Sequence, residues 1–170
     1  MQSNFIKFIE LVLETEGGFV DDPDDPGGAT NKGITLKTFS KWSGKEKSVE
    51  ELKNIEDTTV RLIYEDLYWK AVQGRLLPDG VDIYVADWAV HSGPTRATME
   101  LQKILEVDPD GVIGPITLDA LKRNDGNDIL LELHLARIRF LHDISYGKPT
   151  FKFLKGWLNR IHHVYKEIVF

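Results

Sequence analysis

Hydrophobic positions recur with a helical period along most of this chain. Over residues 4–15, Phe5, Phe8, Ile9, Val12 and Leu13 follow an i, i+3, i+4, i+7, i+8 spacing, which builds one apolar stripe along an amphipathic helix. Gly17 and Gly18 end that pattern. Residues 20–28 (VDDPDDPGG) have no period and are dense in turn formers, so they predict a loop. Residues 29–35 (ATNKGIT) predict a short hairpin around residues 31–33. No other stretch reads as β-structure.

Beyond the hairpin the helical pattern returns and persists. Thr35 is placed to cap a short helix ending near Trp42, Ser48 and Glu51 have capping-box spacing, and Asp57 opens a longer helix with Val60, Ile63, Tyr64 and Leu67 on one face. Residues 78–90 (PDGVDIYVADWAV) are apolar nearly all round, as in a helix buried in a bundle, and Gly93 and Pro94 close them. Residues 95–105, 115–122, 127–144 and 149–169 complete the set, joined by short polar turns. The fold class is all-α with one small hairpin. There is no repeat and no evident linker.

Composition adds bounds. At 170 residues, 42% hydrophobic, 28% charged and 10% aromatic, the chain is an ordinary globular one with enough length to bury a core. It has no cysteine, hence no disulfide framework and no thiolate zinc site. Residues 5–13 are interrupted by Lys7 and Glu10 and lack a basic leader, so they do not read as a signal peptide, and no run approaches a membrane span. The net charge of -6 is unevenly spread: residues 134–170 hold seven Lys/Arg against two Asp/Glu, which leaves the rest strongly acidic. That acidity argues against a nucleic-acid partner.

Candidate chemistry begins in the first helix. At about 100° per residue, Glu10 and Glu14 fall opposite Phe5, whereas Glu16 falls about 20° from Phe5, within the apolar stripe. A carboxyl partly withdrawn from water, at the negative end of a helix dipole, can keep its proton near neutral pH. Glycoside hydrolysis requires such an acid beside the leaving oxygen and a second, ionised carboxylate to assist water, attack carbon or steady the cationic transition state. Gly17 and Gly18 would let a bulky sugar approach, and the loop after them supplies Asp21, Asp22, Asp24 and Asp25.

The segment Glu16-Gly17-Gly18-Phe19, with Asp22-Pro23, Asp25-Pro26-Gly27-Gly28-Ala29-Thr30, Asn31 and Gly33-Ile34-Thr35, closely resembles the signature of glycoside hydrolase family 108. That family comprises lysozyme-like muramidases found among phage endolysins and proteins labelled secretion activators, and its EGGY box carries the glutamate taken as the catalytic acid. Residues 88–93 (WAVHSG), Leu101-Gln102, residues 110–114 (DGVIG) with Thr117, and residues 156–160 (GWLNR) look like its helical peptidoglycan-binding portion. The match over residues 16–35 is the specific one, because Glu, paired Gly, paired Gly and Gly-Ile recur at fixed offsets. Phe19 stands where the family usually has Tyr, and His91 where Asn is expected.

The resemblance implies a lysozyme-like fold with a catalytic lobe over residues 1–93 and a helical peptidoglycan-binding lobe over 94–170. It implies an N-acetylmuramidase that cuts the β-1,4 bond between N-acetylmuramic acid and N-acetylglucosamine, with Glu16 as acid. Small phage-type lysozymes place an aspartate nine residues after their glutamate and a threonine shortly after. On that likeness Asp25, ahead of Asp22, is the expected second carboxylate, with Thr30 placing a water. Phe19, Asn31, Trp88 and His91 are expected to contact substrate. The implied partner is the glycan strand of peptidoglycan, met by a monomer without metal or cofactor. The chain would be made in the cytoplasm and reach the wall, in the periplasm or outside, after holin-type release or by dedicated export. The rival reading is a non-catalytic wall-binding or secretion-assisting protein that retains the fold.

Three other features have structural readings. Residues 106–113 imitate the start of a calcium loop, but Thr117 replaces the bidentate Glu at position twelve, so a turn capping the next helix is expected. Asp87 and His91, one helical turn apart, suit a buried hydrogen bond better than a metal pair, and the basic, amphipathic tail suits a helix docked on the core.

Overall fold

The computed structural model describes residues 2–21 and 28–170. Among them the architecture is helical apart from one two-stranded antiparallel sheet. The chain forms two compact units, the smaller Ile9–Leu67 and the larger the residues up to Phe8 together with Tyr68–Phe170. The lobe boundary expected at residues 93/94 falls inside the larger unit.

Helix α1 (Gln2–Thr15) begins in the larger unit and ends in the smaller. Its predicted stripe is inward: Phe8, Ile9 and Val12 are buried and Phe5 and Leu13 half-buried, with Leu11 buried as well. In the larger unit, the Phe5 and Phe8 rings pack on Trp69 at 5.6 and 5.7 Å between centroids.

In the smaller unit, β1 (Thr30–Asn31) pairs with β2 (Ile34–Thr35), Thr30 opposite Thr35 and Asn31 opposite Ile34. The connecting residues Lys32 and Gly33 have φ of 50° and 74°, both left-handed, the two-residue turn whose twist matches the flanking strands. Val20 and Thr30 exchange backbone hydrogen bonds of 2.8 Å and so continue the pairing by one residue. Thr35 then caps α2 (Leu36–Ser43), its Oγ1 accepting from the Thr38 N–H. The capping box at Ser48 and Glu51 opens α3 (Val49–Lys53), and α4 (Asp57–Tyr64) follows. Ile34, Phe39, Leu52, Ile55, Val60, Ile63 and Tyr64 are buried. A π-type turn, Glu65–Trp69, leaves this unit for the larger one.

In the larger unit the predicted all-apolar helix is α5 (Val81–Ser92), and every residue from Val81 to Ala89 is buried. It packs on α6 (Pro94–Ile104), α8 (Gly126–Ser145) and α9 (Leu154–Val169), with α7 (Pro115–Lys122) between α6 and α8 in the chain. The helix expected over residues 149–169 starts instead as a 3-10 turn, Pro149–Phe153, because Pro149 supplies a fixed φ but no N–H and the first turn tightens. Asp87 joins three helices: one carboxylate oxygen accepts from Arg137 at 2.7 Å, the other from Arg160 at 3.2 Å. Burial opposes its charge, but the two guanidiniums outweigh burial and hold the carboxyl below its ordinary range.

The calcium-like segment is tied up by buried Gln102. Its amide donates to the Asp110 carboxylate, the Val112 carbonyl and Thr117, and its oxygen accepts from the Gly111 N–H. Among the described residues no helix is long and apolar enough to cross a membrane, and no three His, Cys, Asp or Glu are grouped to hold a metal.

Candidate active site

Glu16 is the first residue past α1, and its N–H still donates to the Val12 carbonyl at 3.1 Å, so its side chain keeps the helical phase. Glu10 and Glu14 are exposed, whereas Glu16 is half-buried. The hairpin turn lies against its carboxyl. A Cβ on Gly33 would lie 2.8 Å from both the carboxyl carbon and Oε2 of Glu16, and it would also collide with Tyr64 Oη. The turn therefore needs glycine twice, for its positive φ and for the space that the carboxyl and phenol occupy.

Three anchors hold the hairpin in the smaller unit. The Asn31 amide donates to the carbonyls of Leu52 and Lys53, each at 3.0 Å, at the end of α3. Lys32 forms a 2.5 Å ion pair with Asp57 at the start of α4, and its ammonium holds the Asp57 carboxyl below its usual range. Tyr64, at the end of α4, donates its hydroxyl to the Lys32 carbonyl at 3.0 Å.

Gly17 and Gly18 lie in open space. Both are exposed, a Cβ on either would meet nothing within 4 Å, and neither has a positive φ. Phe19 is half-buried with the Lys53 ammonium 5.9 Å from its ring centroid. Thr30 is half-buried on β1, its hydroxyl donating to the Gly28 carbonyl at 3.2 Å. The expected second carboxylate Asp25, and its alternative Asp22, lie outside the described residues.

The other expected contacts are placed differently. Asn31 is 4% exposed and its side chain is bonded to the end of α3, so it anchors the hairpin. The register explains this: Asn31 shares a face with Ile34 and turns inward, while Thr30 shares the other with Thr35. Trp88 and His91 belong to the larger unit, and Trp88 is wholly buried in α5. His91 turns Nδ1 toward the Asp87 carbonyl at 2.9 Å rather than toward its carboxylate. Burial of that ring edge, reinforced by Arg160 and Arg137 and partly offset by Asp87, pushes the imidazole down to about 4. Tyr64 and Gly33 are the site residues that sequence reasoning missed. A tyrosine in an otherwise aliphatic stripe is a signal, since a buried phenol requires a polar partner.

A half-buried carboxyl beside two open glycines, fixed against a clamped turn, is a group that can meet a bulky substrate in one orientation. The chain matches the family model described as Glycosyl hydrolase 108 over residues 9–93 and that described as Predicted Peptidoglycan domain over residues 96–162. Among solved structures it is similar to SagA of Brucella abortus, at 44% identity and a TM-score of 0.87, the match covering 99% of this chain and 95% of that one. Among curated proteins, none matches.

Proposed function

The chain belongs to the glycosyl hydrolase 108 family, and from that premise we propose that it is an N-acetylmuramidase acting on the glycan strands of peptidoglycan. The match of residues 96–162 to a predicted peptidoglycan domain supports the wall polymer as the partner. Glu16 is the acid. It donates its proton to the glycosidic oxygen as the bond from C1 of N-acetylmuramic acid to that oxygen breaks, releasing the O4 hydroxyl of N-acetylglucosamine.

The oxygen of water ends on C1. Asp25 is the second carboxylate, and it acts in one of two ways. Either it takes the proton of that water and later gives it to solvent while Glu16 is reprotonated from solvent, or it first bonds C1 as the leaving oxygen departs. In the second case that bond breaks when water, giving its proton to Glu16, attacks C1; Thr30 helps to place the water. Phe19 offers a ring face to a sugar. Gly17 and Gly18 leave the sugar room to reach the acid.

One observation carries this reading: of the three glutamates in and just beyond α1, only Glu16 is turned inward, its carboxyl against the Gly33 turn. Glu16→Gln keeps the shape and removes the proton. Clearing of a peptidoglycan suspension should fall by roughly 10²–10⁴-fold, the usual worth of a general acid, with the melting temperature unchanged. A variant that clears walls at the native rate would remove Glu16 from the mechanism. Native protein that pulls down with sacculi yet releases no reducing sugar would support the non-catalytic rival.

A further inference from the structure

A pocket of about 170 Å³ opens in the larger unit beside the end of α5, lined by residues of α5, α8 and α9. At ~30 Å³ per water it holds on the order of five water-sized groups. Phe140 and Ile144 of α8 and Trp157 of α9 give it apolar walls, and Arg137 and Arg160 give it charge. Each guanidinium donates to a different carboxylate oxygen of Asp87, and Asp87 is not part of the lining. Arg137 is 2% exposed and Arg160 14%, so both act where water screens little. The lining contains no carboxylate. His91 also lines it and, held down to about 4, is uncharged at neutral pH.

This combination selects among anions. A neutral sugar would offer the guanidiniums oxygen acceptors but no charge, and a polyphosphate would bring charges that the aliphatic and aromatic walls desolvate without pairing. A single carboxylate on a small aliphatic group satisfies both: planar and able to accept two N–H bonds, it suits a guanidinium, and its substituent suits Ile144 and Phe140.

We propose that this pocket binds the C-terminal carboxylate of a short peptide with small aliphatic side chains, the group that ends a peptide stem of peptidoglycan. The proposal rests on the wall-polymer reading above and gives the peptidoglycan domain a ligand chemistry distinct from the glycan. Stems that end in such a carboxylate would then be held, and wall material with amidated or removed stem ends would be held less well.

The test titrates N-acetyl-D-alanyl-D-alanine, and separately its C-terminal amide, into the full chain, with calorimetry as readout. The free acid should bind, and the amide should bind at least about tenfold more weakly, about 1.4 kcal/mol. Arg160→Gln should weaken the acid by a similar factor while Asp87 keeps Arg137. If that variant does not fold, Ile144→Glu at the half-open rim should suppress binding by supplying a carboxylate of its own.

Amide binding as tight as acid, no binding by the native chain, or native affinity in folded Arg160→Gln or Ile144→Glu would each overturn the proposal. So would acetate competing as well as the peptide, since the site would then be an unselective anion site. No bond is cleaved in this titration, so its outcome is independent of whether Glu16→Gln loses wall clearing.

Discussion

At Gly17 and Gly18 the fold makes no demand for glycine, since neither backbone is left-handed and a methyl group on either would meet open space. On the function proposed above, a sugar approaching the backbone is what glycine would serve there. Gly17→Ala should leave the melting temperature level or slightly raised, because alanine narrows the unfolded ensemble by about 0.4–1 kcal/mol, while wall clearing slows. Clearing at the native rate would mean that no sugar packs there. Gly33 is the opposite case, its hydrogen pressed against Glu16 and Tyr64 in a turn of positive φ. Gly33→Ala should cost stability and activity together. Tyr64→Phe deletes only the hydroxyl bonded to Lys32, so it should cost about 0.5–1.5 kcal/mol in denaturant melts and slow clearing by loosening the turn under the acid.

At the scale of elements, the hairpin is four paired residues long and depends on what holds it. Asn31→Asp keeps the size of its main anchor but sets a carboxylate against two carbonyl oxygens that now accept at 3.0 Å. Chemical denaturation should show a loss of about 1–3 kcal/mol, with activity falling further than stability because Gly33 and Thr30 move with the turn. A loss confined to stability would separate the hairpin from the chemistry. Periodicity made much of this level legible: the stripe of α1, the cap at Thr35, the box at Ser48 and the all-apolar α5 lie where their patterns put them. Periodicity identifies the face that is buried but not its partner. Asn31 therefore read as a substrate contact until pairing with Ile34 fixed its face, and Tyr64 read as core although its hydroxyl reaches the Lys32 carbonyl.

At the scale of the whole molecule, periodicity along the chain does not show that the larger compact unit is assembled from distant parts of the sequence, with Phe5 and Phe8 meeting Trp69. Acid sensitivity also belongs to this scale. In the larger unit His134 sits between the Tyr84 hydroxyl at 2.8 Å and His162 at 2.9 Å, with the Tyr165 ring stacked on it and Arg137 over Tyr84. Burial first, then the His162 and Arg137 charges, pushes its imidazole down to about 4 from an ordinary 6.5. Between those values the unfolded chain takes up a proton that the folded chain refuses. Stability present above pH 6.5 is therefore lost as pH falls toward 4, and His91 adds to the same trend. The melting temperature should drop across that window, and His134→Gln should make the drop shallower. An unchanged slope would assign the acid sensitivity elsewhere.

The most direct test of the central claim is mass spectrometry of purified sacculi digested by the native chain and by Glu16→Gln. The account predicts soluble fragments with a reducing N-acetylmuramic acid end from the native chain and none from the variant. Fragments ending in N-acetylglucosamine or in anhydro-muramic acid, or the same digest from both proteins, would contradict it.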